Sequence, residues 1–128
     1  MTVKTYSLKK DGNKKLSTNF KVKEFACKDG SDKVLVDTDL VELLQKIRDF
    51  FKKPVKINSA YRTKTHNKKV GGTTNSYHLV GMASDIRIDG VNPILIALYA
   101  ESLNAGGIGV YSNFIHVDTR KNKTRWVE

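Results

Sequence analysis

The chain has 128 residues, 23 basic and 13 acidic, for a formal net charge of +10; 39% of the residues are hydrophobic and 28% charged. Those values are ordinary for a soluble globular protein and describe a single domain large enough to bury a core without staples. One cysteine, Cys27, excludes an intramolecular disulfide and a thiolate cluster, so a metal site is expected to draw on His, Asp or Glu, and Cys27 reads as a small buried hydrophobe.

The N-terminal stretch MTVKTYSLKKDGNKK is basic but has no apolar h-region, so no secretory signal is expected. The protein then acts where it is made, leaves by another route, or has had a signal removed. The longest apolar run, ILIALYA at 94–100, is far short of the ~20 residues a membrane span needs. The NFKVKEFAC segment reads as a short helix or an extended arm. DTDLVELLQKIRDFFKKP (37–54) is the clearest helix: Leu40, Leu43, Leu44, Ile47, Phe50 and Phe51 recur at helical spacing, with acids first, bases last and Pro54 as the stop. VKINS (55–59) reads as a strand and RTKTHNKKVGG (62–72) as a short helix ending at its glycines.

DIRID (85–89) and FIHVDT (114–119) alternate strictly, and GIGVY (107–111) is a further short strand. Between them, VNPILIALYAESLNAGG (91–107) predicts a helix with Asn92 as N-cap, Pro93 at N1 and Gly106 just past its end. The sum is an α+β fold: a small, mainly antiparallel sheet with helices packed on one side, in one domain spanning 1–128.

Two strands carry polar residues opposite their Ile/Val faces. Asp85 opens one; His116 and Asp118 share the polar face of the other; His78 lies in the turn before Asp85. If the strands pair, His78, Asp85 and His116 converge as two imidazoles and a carboxylate, a ligand set for zinc with an open fourth position. Zinc polarises a carbonyl and lowers the pKa of its water towards ~7, so an amide becomes open to attack at neutral pH. Taken singly, a histidine beside a strand or an aspartate before one is often structural. His66, in a basic stretch, reads as a surface histidine.

INSAYRT (57–63), HN (66–67), VGG (70–72), NSYHLVGMASDI (75–86), GGIGVY (106–111) and NFIHVDTR (113–120) together resemble the zinc D-alanyl-D-alanine carboxypeptidase family, which is related to the zinc domain of hedgehog proteins and to some phage endolysins. The small phage- and prophage-associated branch is the nearest likeness, and NFKVKEFACKDG (19–30) extends it, so the resemblance covers about residues 20–120. It implies a hedgehog/DD-peptidase-like fold and zinc on His78, Asp85 and His116. It also implies that Arg62 binds substrate and steadies a carbonyl or carboxylate as negative charge develops, with Ser76 as a loop or substrate-side hydrogen bonder. Tyr61 and Tyr77 read as packing residues or pocket walls.

Where several relatives carry the acid that serves as general base, this chain has Asn113. Asp118 is the substitute candidate, with an equal claim to orienting a ligand imidazole. The resemblance implies a zinc peptidase that hydrolyses an amide in peptidoglycan stem peptides or cross-links, one involving D-alanine, with Asp118 and Arg62 as catalytic residues. Such a protein is expected to be a monomer at the bacterial cell wall, phage- or prophage-encoded and made in the cytoplasm, without membrane insertion. The rival is a zinc-containing wall-binding or tail-associated module of little activity. Charge alone raises nucleic-acid binding; no nucleic-acid partner is expected. Sequence does not separate endopeptidase from carboxypeptidase action.

Overall fold

A computed structural model of the protein describes residues 2–128. Its centre is a five-stranded sheet of order β5-β6-β8-β7-β9, formed by Lys56–Ser59, Ala83–Arg87, Ile115–Asp118, Gly107–Val110 and Thr124–Val127 in that spatial order. Every neighbouring pair is antiparallel except β7 and β9, which run parallel. Two further two-stranded ribbons pair β1 (Val3–Ser7) with β4 (Lys33–Asp37) and β2 (Lys15–Ser17) with β3 (Phe20–Lys21). The expected α+β class and mainly antiparallel sheet are what the chain adopts.

The helices follow from local chemistry. After the short α1 (Leu8–Asp11), α2 (Thr38–Phe51) starts where the Asp37 side chain accepts from Asp39 N–H, and it stops where Lys52 turns left-handed (φ 56°). Leu40, Leu44 and Ile47 are wholly buried, so truncating any of them to alanine would cost about 2–5 kcal/mol. Phe50, counted at sequence level with the helix's apolar face, is 58% exposed and instead stacks on Tyr99 at 3.9 Å. The α4 helix (Pro93–Ser102) has the expected Asn92 cap and Pro93 at its start. Its end differs from expectation: Asn104, not Gly106, takes the left-handed conformation (φ 60°), and Gly106 already donates its N–H to the Asp118 carbonyl as the chain enters β7. The short α3 (Lys64–Lys69) is capped by the Thr63 hydroxyl, which accepts from His66 N–H.

One face of the sheet presents Ile86, Ile108, Ile115 and Val117 to the buried core shared with α2 and α4. Phe20, Val22 and Phe25 of the N-terminal segment complete that core, so NFKVKEFAC is a short strand plus the 3₁₀ turn Val22–Phe25. By strand alternation the opposite face carries Asp85, His116 and Asp118. No described helix is long and apolar enough to cross a membrane.

Candidate active site

Register decides the site. Antiparallel pairing of β6 with β8 sets Asp85 directly opposite His116, and Ala83 opposite Asp118. His78 enters from the 3₁₀ turn Tyr77–Val80, whose first N–H groups are met by the Ser76 hydroxyl accepting from His78 N–H at 3.2 Å. Gly81 ends that turn at φ 77°, and a Cβ there would collide with the Leu35 backbone, so only glycine lets the chain reverse into β6. One donor atom from each of His78, Asp85 and His116 lies within 4.8 Å of the others.

The outer partners fix which nitrogens face inward. His78 Nδ1–H donates to the Ala60 carbonyl at 2.6 Å, leaving Nε2 as a lone pair 3.4 Å from Asp85 Oδ2. His116 Nε2–H donates to Asp118 Oδ2 at 2.7 Å, leaving Nδ1 3.1 Å from Asp85 Oδ1. Lone-pair atoms brought this close require a cation among them, a proton or a metal. Two neutral imidazoles and a carboxylate, each oriented from behind, are the donor set of a zinc site with a free position. The residues present therefore fit the metal.

The titration directions describe the other cation, a proton held where the metal would sit. Burial acts to raise the Asp85 carboxyl, but hydrogen bonds and charge from His116 and His78 outweigh it and hold the group well below the usual carboxylate range. Burial likewise acts to lower the His116 imidazole, and its bonds to Asp118 and Asp85 override this and raise it. Asp118 is fully buried, and against that burial His116 and Arg120 keep its carboxyl well below the ordinary range. Its oxygens accept from Gly107 N–H at 2.7 Å, Arg120 N–H at 3.0 Å and the Arg120 guanidinium at 2.6 Å. Bonding to Asp118 raises Arg120 in turn. The Arg120 guanidinium also lies over the Tyr77 ring at 4.4 Å.

Glycines make the room. A Cβ on Gly107 would overlap the Asp118 carboxylate, and one on Gly109 would overlap the Trp126 indole, which lies 5.0 Å from the His116 ring. The GxG of β7 is thus the clearance for the groups behind and beside His116. Arg62 is held on three sides: Nε donates to Ser59 Oγ at 3.0 Å, Nη1 to Asn67 Oδ1 at 3.2 Å and Nη2 to Asp85 Oδ2 at 3.2 Å.

A cleft of about 600 Å³ contains this face; Arg62, Ser76, His78, Asp85 and His116 all line it. Asp118 lies beneath His116, outside that lining, and Asn113 does not line it either. Of the sequence-predicted site residues, five stand together at the cleft and the sixth, Asp118, stands behind one of them. Asn67, Arg120 and Trp126 were not singled out at sequence level. Alternation in TRWV could have marked the last, whose strand pairs with the glycine-rich β7.

A family model described as peptidase M15 matches residues 18–118, and the chain belongs to that family. Among individual relatives, the chain is 36% identical over 93 residues to the peptidoglycan L,D-endopeptidase MepK of Escherichia coli K12, covering 66% of this chain and 51% of that protein. It is 54% identical over 56 residues to the probable peptidoglycan L,D-endopeptidase MepK of Haemophilus influenzae, covering 42% and 30% respectively. The chain spans at most about half the length of these relatives.

Proposed function

We propose that the chain is a zinc peptidase that hydrolyses an amide bond in the peptide part of peptidoglycan, with the metal held by His78 Nε2, an Asp85 oxygen and His116 Nδ1. The observation that carries this is the inward lone-pair set just described, with each imidazole's other nitrogen already committed to Ala60 or Asp118. Zinc in that place supplies Lewis acidity and a nucleophile at neutral pH. The names of the similar proteins favour a bond between an L- and a D-configured residue cut inside a peptide, rather than release of a terminal D-alanine.

The chain's own groups take the remaining roles. Arg62, fixed by Ser59, Asn67 and Asp85, presents its fork at the cleft and steadies negative charge on the substrate carbonyl or carboxylate. Ser76 lines the cleft with its hydroxyl already bonded to His78 N–H, so it shapes the turn as well as meeting substrate. An adjoining groove shares Arg62 and Ser76 and adds Lys33, Lys64 and Lys68, charges that suit the carboxylates of wall peptides. Asp118, with its oxygens filled by His116, Gly107 and Arg120, serves as the group that orients His116 rather than as the base. Glu128 is then the carboxylate lining the cleft outside the ligand set, and it is our assignment for the proton acceptor.

A wall-binding module with an intact metal site is the second reading, favoured by Asn113 and by the committed state of Asp118. Mass spectrometry of purified peptidoglycan incubated with the protein, with zinc or with chelator, separates the two. Zinc-dependent release of defined peptides is the expected result and identifies the bond. Zinc-loaded protein that releases nothing from walls of several cross-link types would overturn the peptidase in favour of the module.

A further inference from the structure

A second group of metal-competent side chains lies apart from the cleft ligands. Cys27 follows the 3₁₀ turn Val22–Phe25, Asp29 stands two residues later in an exposed loop, and His66 projects from α3; one donor atom of each lies within 4.8 Å of the others. Cys27 is buried, as the sequence reading expects, and His66 is half-buried; what that reading does not bring together is the three donors.

The cluster is fixed by the backbone around it. Tyr61 N–H donates to the Phe25 carbonyl at 3.1 Å, tying the strand-to-helix connection to the N-terminal segment. Asp29 accepts from Ser31 N–H at 2.9 Å and from the Thr63 hydroxyl at 2.8 Å, and Thr63 is the cap of α3 itself. Cys27 is 3% exposed, His66 half-buried and Asp29 exposed, so the donor set runs from the buried side of the loop out to water.

We propose that Cys27, Asp29 and His66 form a second site for a borderline divalent metal of the zinc type, clamping the N-terminal loop to α3. One thiolate, one imidazole and one carboxylate make a mixed S/N/O set that suits zinc or cobalt(II), whereas magnesium and calcium prefer oxygen alone. Three protein donors leave the solvent side for water. Binding releases the Cys27 thiol proton to solvent, and no electrons move. The clamp would act where it matters to the cleft: α3 begins just after Arg62, and Asn67 on α3 holds the Arg62 guanidinium. The inference rests on this cluster alone and stands whether or not the cleft proves hydrolytic.

Cobalt(II) titration of the reduced, metal-free full chain tests it, because the cleft ligands include no sulfur and only Cys27 can give a thiolate-to-cobalt charge-transfer band. The expected result is a near-ultraviolet band that saturates by two equivalents in the parent chain and at one in His116→Ala, is bleached by zinc, and is lost or much weakened in Asp29→Asn and His66→Gln. Asp29→Asn changes an exposed side chain, so the test survives if Cys27→Ser does not fold. Absence of the band at saturating cobalt would overturn the site, as would a band lost in His116→Ala or one indifferent to both Asp29→Asn and His66→Gln.

Discussion

His78, Asp85 and His116 stand on two hydrogen-bonded strands and a capped turn, whereas Cys27, Asp29 and His66 come from a loop and a six-residue helix joined mainly through side chains. In the first group the backbone ladder sets the donor spacing before any metal arrives, and buried partners choose the nitrogen that faces inward. In the second, Asp29 is exposed and bonded to Ser31, the Thr63 hydroxyl and the Cys27 thiol on a loop with no strand ladder behind it, so the donors are held less firmly. Geometry fixed in advance suits a site where chemistry depends on position; a looser set suits a clamp, whose metal supplies the rigidity itself.

The comparison breaks first at the cleft. His116→Ala removes a donor and leaves Asp85 and Asp118 buried without their shared partner, and we expect peptide release from peptidoglycan to fall to background along with loss of the cleft metal, measured by metal analysis beside the digestion assay. Arg62→Lys keeps the charge but cannot span Ser59, Asn67 and Asp85 at once. We expect kcat to drop by about 10²–10³-fold with one cleft metal still bound, since an oxyanion-side donor is worth that much; an unchanged kcat would reduce Arg62 to a structural tie.

Asp118→Asn sharpens the same contrast. If Asp118 orients His116, metal affinity falls by about 10–100-fold and hydrolysis returns at saturating zinc. If it is the proton acceptor, activity stays lost with the metal in place. Glu128→Gln gives the opposite pair of outcomes, normal zinc affinity with reduced kcat, should Glu128 accept the proton.

The cleft ligands were legible because strand parity and antiparallel pairing are written in short alternating runs: Ile86, Ile115 and Val117 must face the core, which fixes where Asp85, His116 and Asp118 point. The role of Asp118 was not legible, since spacing shows a shared face but not that Gly107 and Arg120 fill its oxygens. The N-terminal ribbon was missed although KVLVD alternates, with Val34 and Val36 buried, because its partner β1 carries no comparable apolar pattern. The meeting of Cys27 with His66 left no local trace at all. It arises from tertiary routing, through the bond between Tyr61 N–H and the Phe25 carbonyl and the reach of Thr63 to Asp29, and each residue taken alone has an ordinary structural explanation.

The smallest expected effect belongs to the clamp and is read as stability. A metal that binds only the folded chain stabilises it in proportion to the logarithm of its concentration over Kd, so a tenfold weaker site forfeits about 1.4 kcal/mol at saturating zinc. For a domain of this size that is a Tm lower by about 5 °C. Asp29→Asn should therefore melt like the parent chain in chelator but rise less on adding zinc. His116→Ala should lose the zinc-dependent increment of the cleft and keep that of the clamp. Two separable increments would show two sites of unequal firmness; a single increment abolished by His116→Ala and untouched by Asp29→Asn would leave the cleft as the only metal-binding place and make the cysteine, aspartate and histidine a hydrogen-bonded corner of the loop.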